Sequence, residues 1–378
     1  MPWETKTVME QREQFVNEVM ARKSTVTALC LKYGISRKTG YKWLKRAAEG
    51  LPLCDQSRRP NRQPSKTAEE IEAKIVEMRL SCRAWGGRKI RSVLEADGVE
   101  GLPSDKTCSN IIKRNGLVDP EEAAKHTACQ RFEKEYCNEM WQTDFKGDFL
   151  LGNGVRCYPL TVLDDHARYS LRIEPKDSAT DVKSSFIAVF REYGLPNSVL
   201  SDNGSQFAGA HRGLSTFERF LMDLDILPIH GRPFHPQTQG KIERFHRTFK
   251  QEALRTIPSN MTEAAVRFEN WRRLYNEIRP HHALGMKTPA SVYLPSTREY
   301  YEPKPYVYDE GAKLFKVNSW GYLRFGSLRL FLSESMADTR VEVRFAEDEK
   351  IRIIYRNYII ATVDAVEGKL LNRHIRRL

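Results

Sequence analysis

Residues 197–207 read "NSVLSDNGSQF", a short apolar strand that runs into a carboxylate, an amide and a glycine. Asp202 and Asn203 in that place make either a solvated turn or a reactive edge, and Gly204 behind them permits a backbone approach that a side chain would block. The neighbouring segments bear on the choice. Strand-type runs at "MWQTDFKGDF" (140–149), "CYPLTVLDD" (157–165) and "YSLRIEP" (169–175) come before it, and "ATDVKSSFIAVFREYG" (179–194) is a helix with Val182, Phe186, Val189, Phe190 and Tyr193 on one side. After it come a helix at "LSTFERFLMDLDI" (214–226), a strand at "LPIH" (227–230) and, past "GRPFHPQTQG", a long helix "KIERFHRTFKQEAL" (241–254) with Ile242, Phe245 and Phe249 as its buried stripe. This alternation predicts a mixed sheet flanked by helices over 136–297.

Three acids of that domain stand at places that can converge on one sheet edge. Asp144 is inside the first strand, Asp202 ends the fourth and Glu243 is one turn into the long helix. Gathered together they repel unless cations intervene. Carboxylates of this kind hold two Mg²⁺ about 4 Å apart, one activating an attacking oxygen and one stabilising the leaving oxygen at a phosphodiester. Glu243, Arg247 and Lys250 lie at i, i+4 and i+7 on one helix face, an acid for metal in line with cations for phosphate; taken alone, they are surface ion pairs worth a few tenths of a kcal/mol. Asp148, Asp164 and Asp165 are rival acids on pattern alone.

Charge points to the same class of partner. The 378 residues carry a net charge of +12, with 40% hydrophobic and 29% charged residues. Residues 21–66 hold 12 Lys/Arg against 2 Asp/Glu, a local excess that suits a polyanion through counterion release. The length predicts several domains. No run of about 18 apolar residues occurs, and "MPWETKTVMEQREQ" lacks the order of a secretory signal, so a cytoplasmic protein without membrane association is expected. The seven cysteines are scattered without a CxxC pair, which fits reduced thiols. His126, Cys129 and Cys137 cluster loosely, without the second histidine that a zinc site there would want.

Within the basic region, "STVTALCLKYGISRKTGYKWLKRAAEG" (24–50) reads as two helices around Gly34. Val26, Leu29, Cys30 and Tyr33 form the first stripe, Ser36 caps the second helix, and Tyr41 with Leu44 is expected to face the first. That is a helix-turn-helix over 1–52, with Arg37, Lys38, Thr39, Lys42, Lys45 and Arg46 left for a DNA groove. A linker over 53–66 offers Arg58, Arg59 and Arg62 to a phosphate backbone. Thr67 and Glu70 predict a capping box ahead of a helix with the stripe Ile71, Ile75 and Met78. A helix near 87–96 and another capped by Ser104 complete a second helix-turn-helix-like domain over 67–118, with Lys106, Lys113 and Arg114 open to DNA. A linker over 119–135 leads to the mixed domain. The β-type runs after the proline-rich "PSTREYYEPKPYVY" predict a small all-β domain over 298–378.

At the acidic motifs the chain resembles the bacterial insertion-sequence transposases with a retroviral-integrase catalytic core. "WQTDF", "SDNGSQF" and "HPQTQGKIERFHRTFKQE" look like their three motifs, and "YNEIRPHHALGMKTPASVY" is similar to the segment after the core. The likeness extends over nearly the whole chain, including "VNSWGYLRFGSLRLFLSE", which is similar to their terminal β-barrel. It implies a multidomain α+β architecture: two helix-turn-helix units, a ribonuclease-H-like core and a C-terminal β-barrel. It implies a DDE triad of Asp144, Asp202 and Glu243 holding two Mg²⁺, with Mn²⁺ as a substitute and Asp144 shared by both ions. The activity implied is cleavage at the terminal inverted repeats of a mobile element to expose a 3′-OH, followed by in-line attack on target DNA. Asn203, Lys241, Arg247 and Lys250 would touch or position the DNA, and a dimer or larger assembly on the two ends is expected in a bacterial cytoplasm, at the nucleoid. Two departures stand out: 40 residues separate Asp202 from Glu243, a longer interval than is usual, and the amino-terminal zinc module of retroviral integrases is absent. A DNA-binding regulator with an inactive core, or a nuclease of the same fold, are the alternatives.

Overall fold

The structure, a computed structural model, describes residues 7–55, 66–118, 134–209, 213–231, 240–326, 328–346 and 349–378. Its residues fall into two compact units, one up to Lys66 and one from Thr67 to Leu378. In the first, α1 (Val8–Met20), α2 (Val26–Lys32) and α3 (Arg37–Ala48) enclose a small core. Thr7, Thr25 and Ser36 cap them, each side-chain oxygen accepting the backbone N–H three residues on. The sequence reading did not include α1, whose only buried apolar residues are Phe15 and Val16, too few to mark a stripe. Tyr41 does not face α2: it is 59% exposed, and Trp43 is buried instead. With the helix opening at Arg37, positions 40, 43, 44 and 47 share the inward side. Gly40 lets α3 come close, since a Cβ there would lie 2.6 Å from Cys30 Sγ and 3.1 Å from the Phe15 ring.

The second unit begins with α4 (Glu69–Ser81), α5 (Gly87–Ala96) and α6 (Asp105–Arg114), packed around Ile75, Trp85, Ile90, Leu94 and Ile111. The Thr67/Glu70 capping box does not form. The helix starts one residue later, with Ala68 at the cap position and no side-chain cap, and Glu69, Glu70 and Glu72 place negative charge in the first turn, which a helix N-terminus favours. Ser104 caps α6 as expected, accepting from Thr107 N.

Six strands make the central sheet: β1 (Trp141–Phe145), β2 (Phe149–Leu150), β3 (Arg156–Asp164), β4 (Ser170–Lys176), β5 (Ser198–Ser201) and β6 (Leu227–His230). β3 pairs antiparallel with β1, β2 and β4, while β5 and then β6 continue in parallel beyond β1. Successive β3 residues alternate between faces. Leu160 and Val162 meet α7 (Lys183–Tyr193) and α8 (Thr216–Asp223) through Phe186, Phe190, Phe217 and Phe220. Cys157 and Leu163 meet α9 (Gly240–Glu252) and α10 (Met261–Arg273) through Phe245, Phe249, Phe268 and Trp271. At the end of α9, the Glu252 carboxylate accepts the indole N–H of Trp85 at 3.2 Å and of Trp271 at 2.9 Å and pairs with Arg279 at 3.2 Å. Trp85 belongs to the core of α4–α6, so this half-buried node fastens the second helical domain to α9.

The C-terminal part contains β7 (Leu314–Lys316), β8 (Tyr322–Phe325), β9 (Leu328–Phe331), β10 (Arg340–Phe345), β11 (Lys350–Tyr355), β12 (Tyr358–Asp364), β13 (Leu370–Asn372) and β14 (Arg376–Arg377). The strands run β13-β12-β11-β10-β7, with β14 also on β12, and β8–β9 form a separate hairpin. Among the described residues this is an open sheet rather than the expected closed barrel. The hairpin packs Leu323 and Leu330 into the same apolar cluster as Val343, Ile353 and Ile360 instead of bridging the edges β7 and β13. Among the described residues no helix is long and apolar enough to cross a membrane.

Candidate active site

β1 carries Asp144 opposite Thr161 of β3. Thr161 Oγ1 donates to the Asp144 carbonyl at 2.8 Å, so its contact with His246 Nε2, also 2.8 Å, is one it accepts. That fixes His246 as the Nε2–H tautomer, with the bare Nδ1 3.7 Å from Asp144 Oδ2. Burial, with the Lys146 charge beside it, holds the His246 imidazole neutral, its pKa pushed down to about 3.

β5 ends at Ser201, and Asp202 follows as its exit residue. Gly204 N donates to Asp202 Oδ1 at 2.9 Å, and a Cβ on residue 204 would lie 2.9 Å from that same oxygen. A Cβ there would also lie against the Gln206 amide, so a larger residue at 204 would displace the side chains of both Asp202 and Gln206. Asn203 Nδ2 donates to the Gly231 carbonyl at 3.1 Å, and His230 Nδ1 lies 3.3 Å from the Asp202 carbonyl. Glu243 sits exposed in the first turn of α9.

The three acids interact. The Asp144 carboxyl is pushed up to about 7, first by burial, then by the charge of Asp202, with Glu243 adding to it and a hydrogen bond from the Phe145 backbone partly offsetting it. Among the described residues no three His, Cys, Asp or Glu side chains close tightly enough to hold an ion as they stand. The donor set nonetheless fits Mg²⁺: all three are oxygen ligands, and a cation among them would favour the charged form of Asp144, which burial first and the neighbouring acids second oppose.

The rival acids serve the fold. Asp148, just before β2, pairs with Arg156, the first residue of β3. Asp164, fully buried, accepts the N–H of Asn138 and of Ala167, each at 2.7 Å, and burial holds its carboxyl up near 6. Asp165, also fully buried, pairs with Lys241 at 2.5 Å. Lys241, expected to position DNA, is 15% exposed at its side chain, and its ammonium sits on this carboxylate. Removing one partner of such a pair typically costs about 3–5 kcal/mol.

Arg247 and Lys250 are exposed on the Glu243 face of α9. Lys146, just past β1, joins them: burial and the Lys250 charge depress its pKa. Lys146 directly follows "WQTDF", yet a lone lysine there carries no periodicity that would mark it in the sequence. In the first unit Arg37, Lys38, Lys42 and Lys45 are exposed on α3, while the Thr39 hydroxyl shares a hydrogen bond with Ser36 at 2.9 Å and Arg46 donates to the Cys54 carbonyl at 2.5 Å. Lys106 and Lys113 are exposed on α6, but Arg114 is engaged by Glu72 of α4. Arg58, Arg59 and Arg62 lie outside the described residues, as do His126 and Cys129 of the loose cysteine cluster; Cys137 Sγ is 3.6 Å from the Val292 carbonyl.

Residues 135–236 and 224–289 match two family models described as integrase core domain. Residues 135–289 are thus similar to integrase core domains. Ahead of it, residues 11–61 match a helix-turn-helix domain and residues 39–112 a homeodomain-like domain. Relatives of the chain include insertion-element and transposon proteins. It is 28% identical to the insertion element IS476 uncharacterized 39.2 kDa protein of Xanthomonas euvesicatoria, over 60% of this chain and 65% of that protein. It is 22% identical to the transposase for transposon Tn552 of Staphylococcus aureus, over 93% of this chain and 82% of that one. The chain thus spans just under two thirds of the Xanthomonas protein. Among solved structures, the HTLV-2 integrase catalytic core domain in complex with magnesium is 14% identical, covering 42% of this chain and 97% of its own, with a TM-score of 0.32. All three acids lie within the span of the integrase core, Asp144 and Asp202 in the first matched segment and Glu243 in the second.

Proposed function

We propose that the protein is a DNA transposase that binds the terminal inverted repeats of its own mobile element and carries out metal-dependent 3′-end cleavage and strand transfer. The observation that carries this reading is the placement of three acids, Asp144 on β1, Asp202 at the exit of the neighbouring β5 and Glu243 in the first turn of α9, near enough that the charges of Asp202 and Glu243 add to burial in raising the Asp144 carboxyl. Asp144, Asp202 and Glu243 would hold two Mg²⁺, or Mn²⁺ in their place. When bound, the ions activate the attacking oxygen and stabilise the leaving one. Asp144 is set in place by Thr161, and Asp202 by the Gly204 amide. Arg247, Lys250 and Lys146 supply positive charge along the side from which a phosphate backbone would approach. α3 and the exposed lysines of α6 would take the element ends, and two ends require two or more copies of the chain.

Incubating the protein with the DNA that flanks its coding sequence, in Mg²⁺, tests this. Expected are nicks that free a 3′-OH and joined products with a target plasmid. Cleavage without joining would make it a nuclease, and bound but uncut DNA a regulator. A second expectation concerns α3. Changing both Arg37 and Lys42 to Ala removes two exposed cations and should flatten the plot of log affinity against log salt by about 2 units of slope, read by fluorescence anisotropy. An unchanged slope would move end recognition to the second helical domain.

A further inference from the structure

Asp165 has no solvent exposure, yet its carboxylate is one of the most heavily used polar groups of the core. Oδ1 accepts from Gln142 Nε2 at 2.6 Å; Oδ2 accepts from the Lys134 backbone N–H at 2.9 Å and from Lys241 Nζ at 2.5 Å. Two of these partners have a telling address. Gln142 lies two residues before Asp144 on β1, and side chains two apart on a strand share a face. Lys241 lies two residues before Glu243 in the first turn of α9. A single buried carboxylate therefore ties the strand that carries one acid to the helix that carries another.

We propose that Asp165 is a positioning residue which, through Gln142 and Lys241, sets the separation of Asp144 and Glu243. The inference rests on the reading of those two acids as metal holders. Asp165 touches neither ion nor substrate in this scheme. A carboxylate taken out of water needs its counter-ion, so Lys241 cannot leave for a phosphate without stranding it. Lys241 thus belongs to the frame of the site, and the cations that meet DNA on α9 are those further along, Arg247 and Lys250.

The test uses the full chain with Lys241→Met, Asp165→Asn, the double variant and Lys241→Arg. Mn²⁺ binding is followed by isothermal titration calorimetry without DNA, and binding of a duplex oligonucleotide of arbitrary sequence is followed across salt. Each single variant is expected to weaken Mn²⁺ about tenfold, as loss of a group that orients metal ligands typically does. The double variant should be no weaker than the worse single one, because both remove one interaction. Lys241→Arg, which keeps the charge, should hold ions better than Lys241→Met, and the salt slope should stay unchanged throughout. A Lys241→Met protein with intact Mn²⁺ affinity and a slope lower by about one would make Lys241 a phosphate contact and overturn the proposal. Should Asp165→Asn not fold, as judged by circular dichroism, the two Lys241 variants decide alone. Asp202→Asn separates the two levels. If it binds Mn²⁺ like the parent, the metal site itself has failed; if it loses ions while the Asp165 and Lys241 variants keep them, only the positioning role has.

Discussion

Asp202→Asn is expected to lower Mg²⁺-dependent cleavage of element-end DNA by about a thousandfold or more, equivalent to about 4 kcal/mol of transition-state stabilisation. The substitution is conservative in every respect but one. Asparagine keeps an oxygen for the Gly204 N–H, occupies nearly the same volume and leaves β5 undisturbed, so thermal unfolding should hardly change. What goes is a negative charge at the end of β5, and with it one ligand of the proposed ions. DNA affinity in Ca²⁺ should be equal or slightly higher, since an acid is removed from a site that meets phosphate. Cleavage at the parent rate would exclude Asp202 from the chemistry and with it the two-metal reading.

Asp144→Asn should abolish cleavage as well, but it is expected to make the metal-free protein more stable. The native Asp144 carboxyl releases its proton near pH 7 against an ordinary 3.8. Between those values the folded chain holds a proton that the unfolded chain has given up, so stability falls as pH rises through this window and stays low above it. Asparagine does not titrate and escapes the penalty. In chelator at pH 8 the gain is at most about 4 kcal/mol, shrinking to less than half of that by pH 5. Urea unfolding of both proteins at the two pH values measures it, and adding Mn²⁺ at pH 8 should narrow the gap by stabilising the parent alone. Equal stability of the two proteins at pH 8 would mean that neither burial nor its neighbours' charge opposes ionisation of Asp144.

Much of this was legible from residue periodicity. Ile242, Phe245 and Phe249 declare the buried side of α9, and Val182, Phe186, Val189, Phe190 and Tyr193 that of α7, because a stripe needs only helical spacing to be seen. Phase is harder. Tyr41 and Trp43 are both large and two apart, and only the cap at Ser36 fixes which of them turns inward. The Thr67/Glu70 box failed by a shift of a single residue, within the ordinary uncertainty of a helix end. Partnerships between distant segments left no mark in the sequence. Nothing near Lys241 announces that its counter-ion is residue 165, or that Thr161 and His246 meet behind Asp144. The acids themselves were visible because each stands in a dense local motif; Gly204, which holds Asp202, stands in that motif too, but Thr161, which holds Asp144, comes from another strand. Barrel closure was equally hidden, since it depends on whether β7 and β13 pair, and neither run carries a register signal.

The node at Glu252 fixes a length. Glu252 closes the helix that Glu243 opens, and it grips Trp85 of the second helical domain and Trp271 and Arg279 of the core at once. Any duplex held by that domain is accordingly presented to the acids at one spacing and one rotational phase. Under the proposed function, one base pair inserted between such a contact and the scissile bond would carry the phosphate past the acids by a tenth of a helical turn, and the chain would act as a gauge calibrated by one carboxylate.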